Sequence, residues 1–401
     1  MSMAQWKRSP LGAVADLCLG KMLDQDKNRG EPLPYLANVN VRWGEFELDS
    51  LRAMRFEPHE RERYGLKFGD IVICEGGEPG RCAIWREQIP GMMIQKALHR
   101  IRPHDVLEYH FLYYNLLNIG KSRGFEQYFT GATIKHLSGE KLAKVEVDIP
   151  SLPIQRRISG ILSAYDELIE NSQRRIKTLE SMARALYREW FVHFRFPGHE
   201  SVRLVPSALG DIPQGWEAKK LGQIVENFDR LRKPLSKMQR AEMQGDYPYY
   251  GAAKVFDYVN DFIFSGEYLL MAEDGSVITN ERNPVLQLVN EKVWPNNHTH
   301  VLLGRPPYST HFLYLGLSEV DVSPYITGAA QPKITQENMN RIPFFCGPQR
   351  LHEDFNRLVE PMIRQSQFLQ RQVQNLRHTR DLLLPRLLSG QIPLDLEKVG
   401  A

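Results

Sequence analysis

At 401 residues the chain is too long for one small module, and at roughly 100–200 residues per domain two or three domains are expected. Apolar residues make up 42% and charged residues 25%, which excludes a disordered or collagen-like chain, and the lack of any long unbroken apolar run excludes membrane-spanning helices. The 51 basic and 48 acidic side chains leave a net charge of only +3, so any nucleic-acid partner must be met by local patches.

The N-terminal MSMAQWKRSP carries no apolar signal core, and a cytoplasmic location is expected. Cys18, Cys74, Cys82 and Cys346 lack the CxxC spacing of a zinc site and read as small buried hydrophobes in a reducing compartment. Residues 1–150 mix short β-like runs, Asp70–Cys74 and Lys144–Ile149, with Gly, Pro and aromatic punctuation, predicting an α/β or β-rich head. From Ile154 to Phe191 the periodicity changes. Ile158, Leu162, Tyr165, Ile169, Ile176, Leu179, Ala183, Leu186 and Trp190 recur at alternating steps of four and three, broken only at Ser172, which predicts a coiled-coil seam within a helical region 151–197. The Pro-, Gly- and Ser-rich stretch 198–213 is read as a linker.

The same order of blocks then returns. WEAKKLG at Trp216 answers WKRSPLG at Trp6, YPYYGAAKV at Tyr247 answers LPYLANVNV at Leu33, and GEYLLMAEDG at Gly266 answers GDIVICEGG at Gly69. HFLYL at His311 answers HFLYY at His110, and TGAAQPKIT at Thr327 answers TGATIKHLS at Thr130. The last offset, 197, holds through the helical region, where Phe355 falls on Ile158, Val359 on Leu162 and Leu387 on Trp190. The chain is thus a duplicated two-part module, with a second head over 214–348, including a strand at Tyr268–Met271, and a second helical region over 349–401. Its seam is Phe355, Val359, Met362, Leu369, Val373, Leu376, Leu383 and Leu387, interrupted at Ser366 and Arg380. Pro361 and Pro385 are expected to kink or bound that helix.

A helix of about 38 residues is roughly 57 Å long. Two of them paired antiparallel would hold two similar, non-identical heads at a fixed separation, which suits recognition of two half-sites on one elongated ligand such as DNA. The helices' polar faces carry Arg174, Arg175, Lys177, Arg184 and Arg188, and Arg364, Arg371, Arg377, Arg380 and Arg386. Solvation is favoured over phosphate contact for these faces.

Catalytic patterns are incomplete. NLLNIGKS at Asn115–Ser122 ends like a P-loop but has Asn115 where the phosphate cradle needs its first glycine. RPPY at Arg305–Tyr308 has arginine where an amino-group DNA methyltransferase has a polar acceptor, and is read as a turn. Asp211, Glu217 and Lys219 have no carboxylate counterpart in WKRSPLG, so a shared structural role for Trp6 and Trp216 explains both copies better than a metal-dependent nuclease site. His298 and His300 in NNHTH lack clustered partners and are read as surface or base-contacting.

Over essentially its full length the chain resembles the specificity (S) subunit of type I restriction-modification systems. The residues that carry the likeness are LPIQRRI in the first helical region, YREWFVHFRFPGHE from Tyr187, LGDIPQGWE from Leu209 and LLLPRLLSGQI from Leu382. Ile154, where a glutamate is common in the family, GPQRLHEDF at the second helix entry, and His193 depart from its pattern. The resemblance implies an α+β fold with an internal pseudo-two-fold repeat: two globular target recognition domains joined by two long conserved helices that form an antiparallel coiled coil. Each domain would read half of a bipartite, asymmetric double-stranded DNA site. The subunit would have no catalytic or metal-binding residues. S-adenosylmethionine, ATP and Mg²⁺ would be used by its partners, two methyltransferase (M) subunits docked near the helices and restriction (R) subunits, and no membrane would be involved. Candidate DNA-binding residues are the basic, polar or aromatic side chains in loop-like stretches beside the repeated blocks. In the first head these are Arg42, Trp43, Lys121, Arg123, Thr133 and Lys135, and in the second Lys254, Asn297, His298, Gln331 and Lys333.

Overall fold

The computed structural model describes residues 6–22, 24, 28–131, 133–207, 210–328 and 330–394. Met1–Gln5, Leu209 of the LGDIPQGWE block and 395–401 of the second helical region lie outside the described residues. The chain divides into two compact units, residues 1–171 with 372–401, and residues 172–371. Each holds one head and a stretch of each of two long helices, Leu152–Tyr187 and Gln349–Leu388.

In the first unit, Lys7–Pro10 pairs antiparallel with Glu146–Ile149, so the two ends of the head close on each other. An antiparallel sheet runs in the order Ala15–Leu19, Leu98–Pro103, Ile71–Cys74, Cys82–Ile84. A smaller sheet joins Arg52–Phe56, Glu31–Leu36 and Met93–Ile94. The sequence IVIC is fully buried because its strand separates two cores, as successive side chains point to opposite faces. Ile71 and Ile73 pack with the helix Tyr109–Lys121 and with Ile158, Leu162, Leu384 and Leu387 of the long helices, while Val72 and Cys74 pack with Leu36, Val41 and Trp85.

The second unit repeats this plan. Glu217–Lys220 pairs with Pro343–Cys346, and six strands follow in the order Val225–Asn227, Thr299–Gly304, Phe264–Ala272, Leu286–Pro295, Gln244–Tyr250, Val255–Val259. The same alternation sends Leu269 and Met271 into the core with the helix Thr310–Leu317 and Phe355, and Leu270 into a second core with Val289 and Val301.

In each unit the helical segments pack antiparallel. Asp166 meets Arg380 while Ile158 and Leu162 share a core with Leu384 and Leu387, and in the second unit Glu180 meets Ser366 while Trp190 and Phe191 share a core with Phe355. The polar breaks in the second helix's seam are satisfied. Ser366 Oγ and Gln370 Nε2 donate to Glu180 Oε1 at 3.1 and 3.2 Å, and Arg380 pairs with Asp166, which also accepts from Tyr114 Oη at 2.7 Å. Two expectations are corrected. The second helix runs unbroken through Pro361 and Pro385. Each proline removes one backbone donor, at a cost of about 3 kcal/mol, but burial of Phe355, Val359 and Ile363 around the first and of Leu384, Leu387 and Leu388 around the second holds the helical path. The 198–213 stretch is not a bare linker: Leu204–Ser207 and Gly210–Pro213 pair as a hairpin that buries Ile212.

The helix Tyr109–Lys121 is capped by Glu108, whose carboxylate accepts from Phe111 N at 2.7 Å and Ser159 Oγ at 2.6 Å, with His110 Nδ1 at 3.1 Å. Burial alone would raise this carboxyl, but those hydrogen bonds hold it at about 2. A depressed carboxyl contributes stability above its unfolded value near 4.3 and loses it as the pH falls toward the folded value. Glu108→Gln is therefore expected to destabilise the first unit by about 1–3 kcal/mol at neutral pH. In urea unfolding its difference from the parent shrinks as the pH drops below about 4; a pH-independent difference would contradict this.

Candidate nucleic-acid interface

Each head presents the same small loop. Thr130 and His136 exchange backbone hydrogen bonds at 2.8 and 2.9 Å, and Thr327 and Lys333 exchange theirs at 2.8 and 2.8 Å. The threonine hydroxyl donates to the same carbonyl at 3.3 Å in both. The glycine after each threonine has φ of +92° at Gly131 and +87° at Gly328, and a Cβ there would strike a carbonyl of its own loop, so only glycine fits. The side chains carry the difference between the heads: Leu137 and Ile334 are anchored alike, each donating its N–H at 2.8 Å to the carbonyl of Glu75 or Glu273, but the exposed tips are Thr133, Ile134 and Lys135 in one and Ala330 and Gln331 in the other.

Beneath each loop lies a buried histidine from the central sheet. His99 Nε2 is 3.0 Å from the Leu137 carbonyl and His300 Nε2 is 2.8 Å from the Ile334 carbonyl. Burial pushes His99 below its ordinary value. In the second head the histidine also joins an ionic network. Asp229 Oδ2 lies 2.6 Å from His300 Nδ1, and Glu273 pairs with Arg232 at 2.7 Å and Lys333 at 3.0 Å. Both carboxyls are shifted below their ordinary range: burial opposes ionisation, but His300 and the Val301 amide hold Asp229, and Arg232 and Lys333 hold Glu273. Asp229, Glu273 and His300 bring their ligand atoms within 4.8 Å of one another. Arg232 and Lys333 pair with the Glu273 carboxylate, and the Ile334 carbonyl meets the other ring nitrogen of His300, so these side chains form a charge network beneath the loop. His300, expected at the surface or against a base, is buried instead, because the strand begins at Thr299 and the pleat turns His300 inward while His298 stays in the preceding turn.

Three of the second head's five candidates line one groove, and Gln331 and Lys333 sit in the loop tied to its wall. Lys254, Asn297 and His298 line it, together with Ser236, Gln239, Arg240, Phe256, Asn296 and the turn Asp274–Ser276. Its volume is about 820 Å³. His298 Nδ1 contacts Asp274 Oδ1 at 2.6 Å, and the loop of Gln331 and Lys333 is tied to the same turn by Gly275 N donating to the Pro332 carbonyl at 3.0 Å. Sequence reasoning missed Arg240 and Asn296, which stand 56 positions apart in the sequence and both line the groove.

In the first head the candidates are more committed to structure. Arg42 forms a two-pronged pair with Glu47 at 2.8 and 2.9 Å. Trp43 lies over Gly120, where a Cβ would meet its ring at 2.2 Å, and packs on the core. Lys121 is paired with Asp381. Arg123 is exposed in a left-handed turn at φ +59°, Thr133 is exposed, and Lys135 sits 5.7 Å over the Phe129 ring. Asn115–Ser122 is helical through Lys121 rather than a phosphate loop, Arg305–Tyr308 is a turn as read, Trp6 packs on Phe111, and Trp216 packs on Phe191. Cys74, Cys82 and Cys346 are buried and unpaired as expected, while Cys18 is only half-buried.

Two duplicated α+β heads, each offering an exposed loop on a rigid sheet and sharing long paired helical segments, define a two-domain recognition protein. The profile of the family described as "Type I restriction modification DNA specificity domain" matches residues 3–181 and 213–345. The chain belongs to this family of specificity subunits, the non-catalytic recognition components of type I restriction-modification systems. It is 24% identical over 353 residues to the type I restriction enzyme MjaIX specificity subunit of Methanocaldococcus jannaschii, covering 82% of this chain and 78% of that one. It is 20% identical to the HindI specificity subunit of Haemophilus influenzae, covering 97% and 100%. The crystal structure of a type I restriction-modification S subunit from M. genitalium has a similar fold, with a TM-score of 0.64 at 16% identity over 96% of this chain and 98% of that one. Among the described residues no helix is long and apolar enough to cross a membrane.

Proposed function

We propose that this chain reads a bipartite, asymmetric sequence in double-stranded DNA, one half through each head, within a cytoplasmic restriction-modification complex. The observation that carries the reading is the pair of Thr-Gly loops: one backbone, closed by the same hydrogen bonds, exposing Thr133, Ile134 and Lys135 in one head and Gln331 beside Lys333 in the other. A shared scaffold with different side chains is what reading two different half-sites requires, since phosphate contacts set register and a few loop side chains contact base edges. The long helices fix the spacer between half-sites and dock two methyltransferase subunits, which restriction subunits then join. S-adenosylmethionine, ATP and Mg²⁺ act on those partners, and this chain supplies position and sequence choice.

The test uses the assembled complex and DNA duplexes carrying both half-sites, or one half-site scrambled. Lys135→Ala and Lys333→Ala are each expected to weaken binding by about tenfold, the range of a lost charged contact. Each loss should disappear when the half-site read by the altered head is scrambled, and those should be different halves for the two variants. Equal losses on every duplex, or none, would contradict the assignment.

A further inference from the structure

The two heads share a backbone, and at one place they use it differently. Tyr35 and Leu36 pair in parallel with Met93 and Ile94, as Tyr249 and Tyr250 do with Trp294 and Pro295, so Asn38 stands where the second head has Ala252. Facing these positions are Gly77 and Gly275, in equivalent turns with φ of +79° and +77°. A Cβ on Gly77 would strike Asn38 Nδ2 at 2.5 Å, whereas a Cβ on Gly275 meets nothing within 4 Å. In the first head Asn38 Nδ2 donates to the Gly76 carbonyl at 3.4 Å, Arg81 Nη2 donates to the Asn38 carbonyl at 2.9 Å, and Glu78 holds Arg81 at 2.6 Å. That cleft is laced shut. In the second head the small side chains of Ala252 and Ala253 leave it open as the 820 Å³ groove.

The open groove carries unspent polar capacity. Asn296 is 9% exposed; its Oδ1 accepts from the His298 amide at 2.8 Å, and its Nδ2 has no partner among the described residues. The backbone donor fixes which end of the amide is which, so the end left over is a donor. Above it, the exposed side chain of Asn297 stands at the mouth, and the Arg240 guanidinium lies over the Tyr249 and Phe256 rings at 5.3 and 4.9 Å, with Phe256 61% exposed at the rim. Amide donors beside an exposed aromatic face and the cation of Lys254 match a flat ring that presents acceptors and is flanked by phosphate. A guanine edge offers O6 and N7, and a thymine edge offers O4.

We propose that this groove is the base-reading surface of the second head, that Asn296 and Asn297 are specificity-determining residues favouring an acceptor-bearing base edge, and that the first head reads its half-site without the equivalent cleft. The proposal rests on the DNA-reading function above and assigns it to a particular surface in one head.

The test is methylated-motif sequencing of DNA from cells that carry the full complex with the parent chain, with Ser276→Phe, which fills the groove from an exposed rim position, or with Asn297→Ala. Both variants are expected to relax base choice by tenfold or more at positions within one half of the motif, the same half for both, while the other half stays sharp and shows that the complex has assembled. If Ser276→Phe abolishes methylation altogether, Asn297→Ala decides: relaxation confined to one half supports the groove, and an unchanged motif overturns it. An unchanged motif in both variants overturns it as well. Asn38→Ala, which unlaces the first head's cleft, is expected to leave both halves sharp, and relaxation there would overturn the asymmetry. A parent chain that yields no bipartite motif would instead remove the function on which the proposal rests.

Discussion

Phe191→Ala is expected to destabilise the second unit by about 3–5 kcal/mol, the range for deleting a buried aromatic side chain. Phe191 is 1% exposed and sits in the turn Arg188–Val192 that ends the first long helix. Its ring lies 4.9 Å from Phe312 and from Phe355, 5.6 Å from Trp216, and stacks on His352 at 5.1 Å. No single neighbour can collapse into the space without leaving its own contacts, so the cavity persists and its cost adds to the lost burial. Guanidinium denaturation of the parent and variant would measure the loss, and a change below about 1 kcal/mol would mean that this cluster is not what joins helix to head.

The second large effect belongs to Asp229. Its carboxylate faces His300 Nδ1 at 2.6 Å, accepts from Val301 N at 2.9 Å and lies 3.6 Å from Arg232 Nη2. Asp229→Ala leaves those buried partners uncompensated, which costs about 3–5 kcal/mol when one member of a buried ionic group is removed. The consequence reaches function, because His300 meets the Ile334 carbonyl beneath the loop Thr327–Lys333 and Glu273 pairs with Lys333 within it. Binding through the second half-site is expected to fall with stability, while discrimination at the first half-site is retained. The sign with pH follows from the depressed carboxyls. The network's contribution is present above the ordinary carboxylate range and is lost as the pH falls below about 4, so the variant and parent should converge in acid. A variant that reads both half-sites like the parent at neutral pH would contradict the role given to this network.

The duplication and the seam were legible because both are written in local spacing. Ile158, Leu162, Phe355 and Val359 sit where steps of four and three put them, and all are buried. The Thr-Gly blocks were legible as a repeat, although their shared geometry depends on two glycines whose positive φ the letters alone do not state. Other features depended on distant residues. His300 is inward because a strand starts at Thr299 and because Asp229, 71 positions upstream, is there to meet it. Pro361 breaks a local rule that seam burial overrides. Lys121 had the look of a surface cation until Asp381 came to it from the far end of the chain. The groove is the extreme case, since its opening depends on two alanines that replace Asn38 and Val39, and short side chains carry no signal until the wall opposite them is known.

The proposed role makes this chain responsible for the DNA sequence on which its complex acts. The most direct test is modified-base sequencing of DNA from cells that express this chain with its cognate methyltransferase subunit, against cells lacking only this chain. A two-part methylated motif with a fixed spacer is expected, and it vanishes when the chain is absent. Methylation that is unchanged without it, in cells where the complex is shown to assemble when the chain is present, would contradict the account.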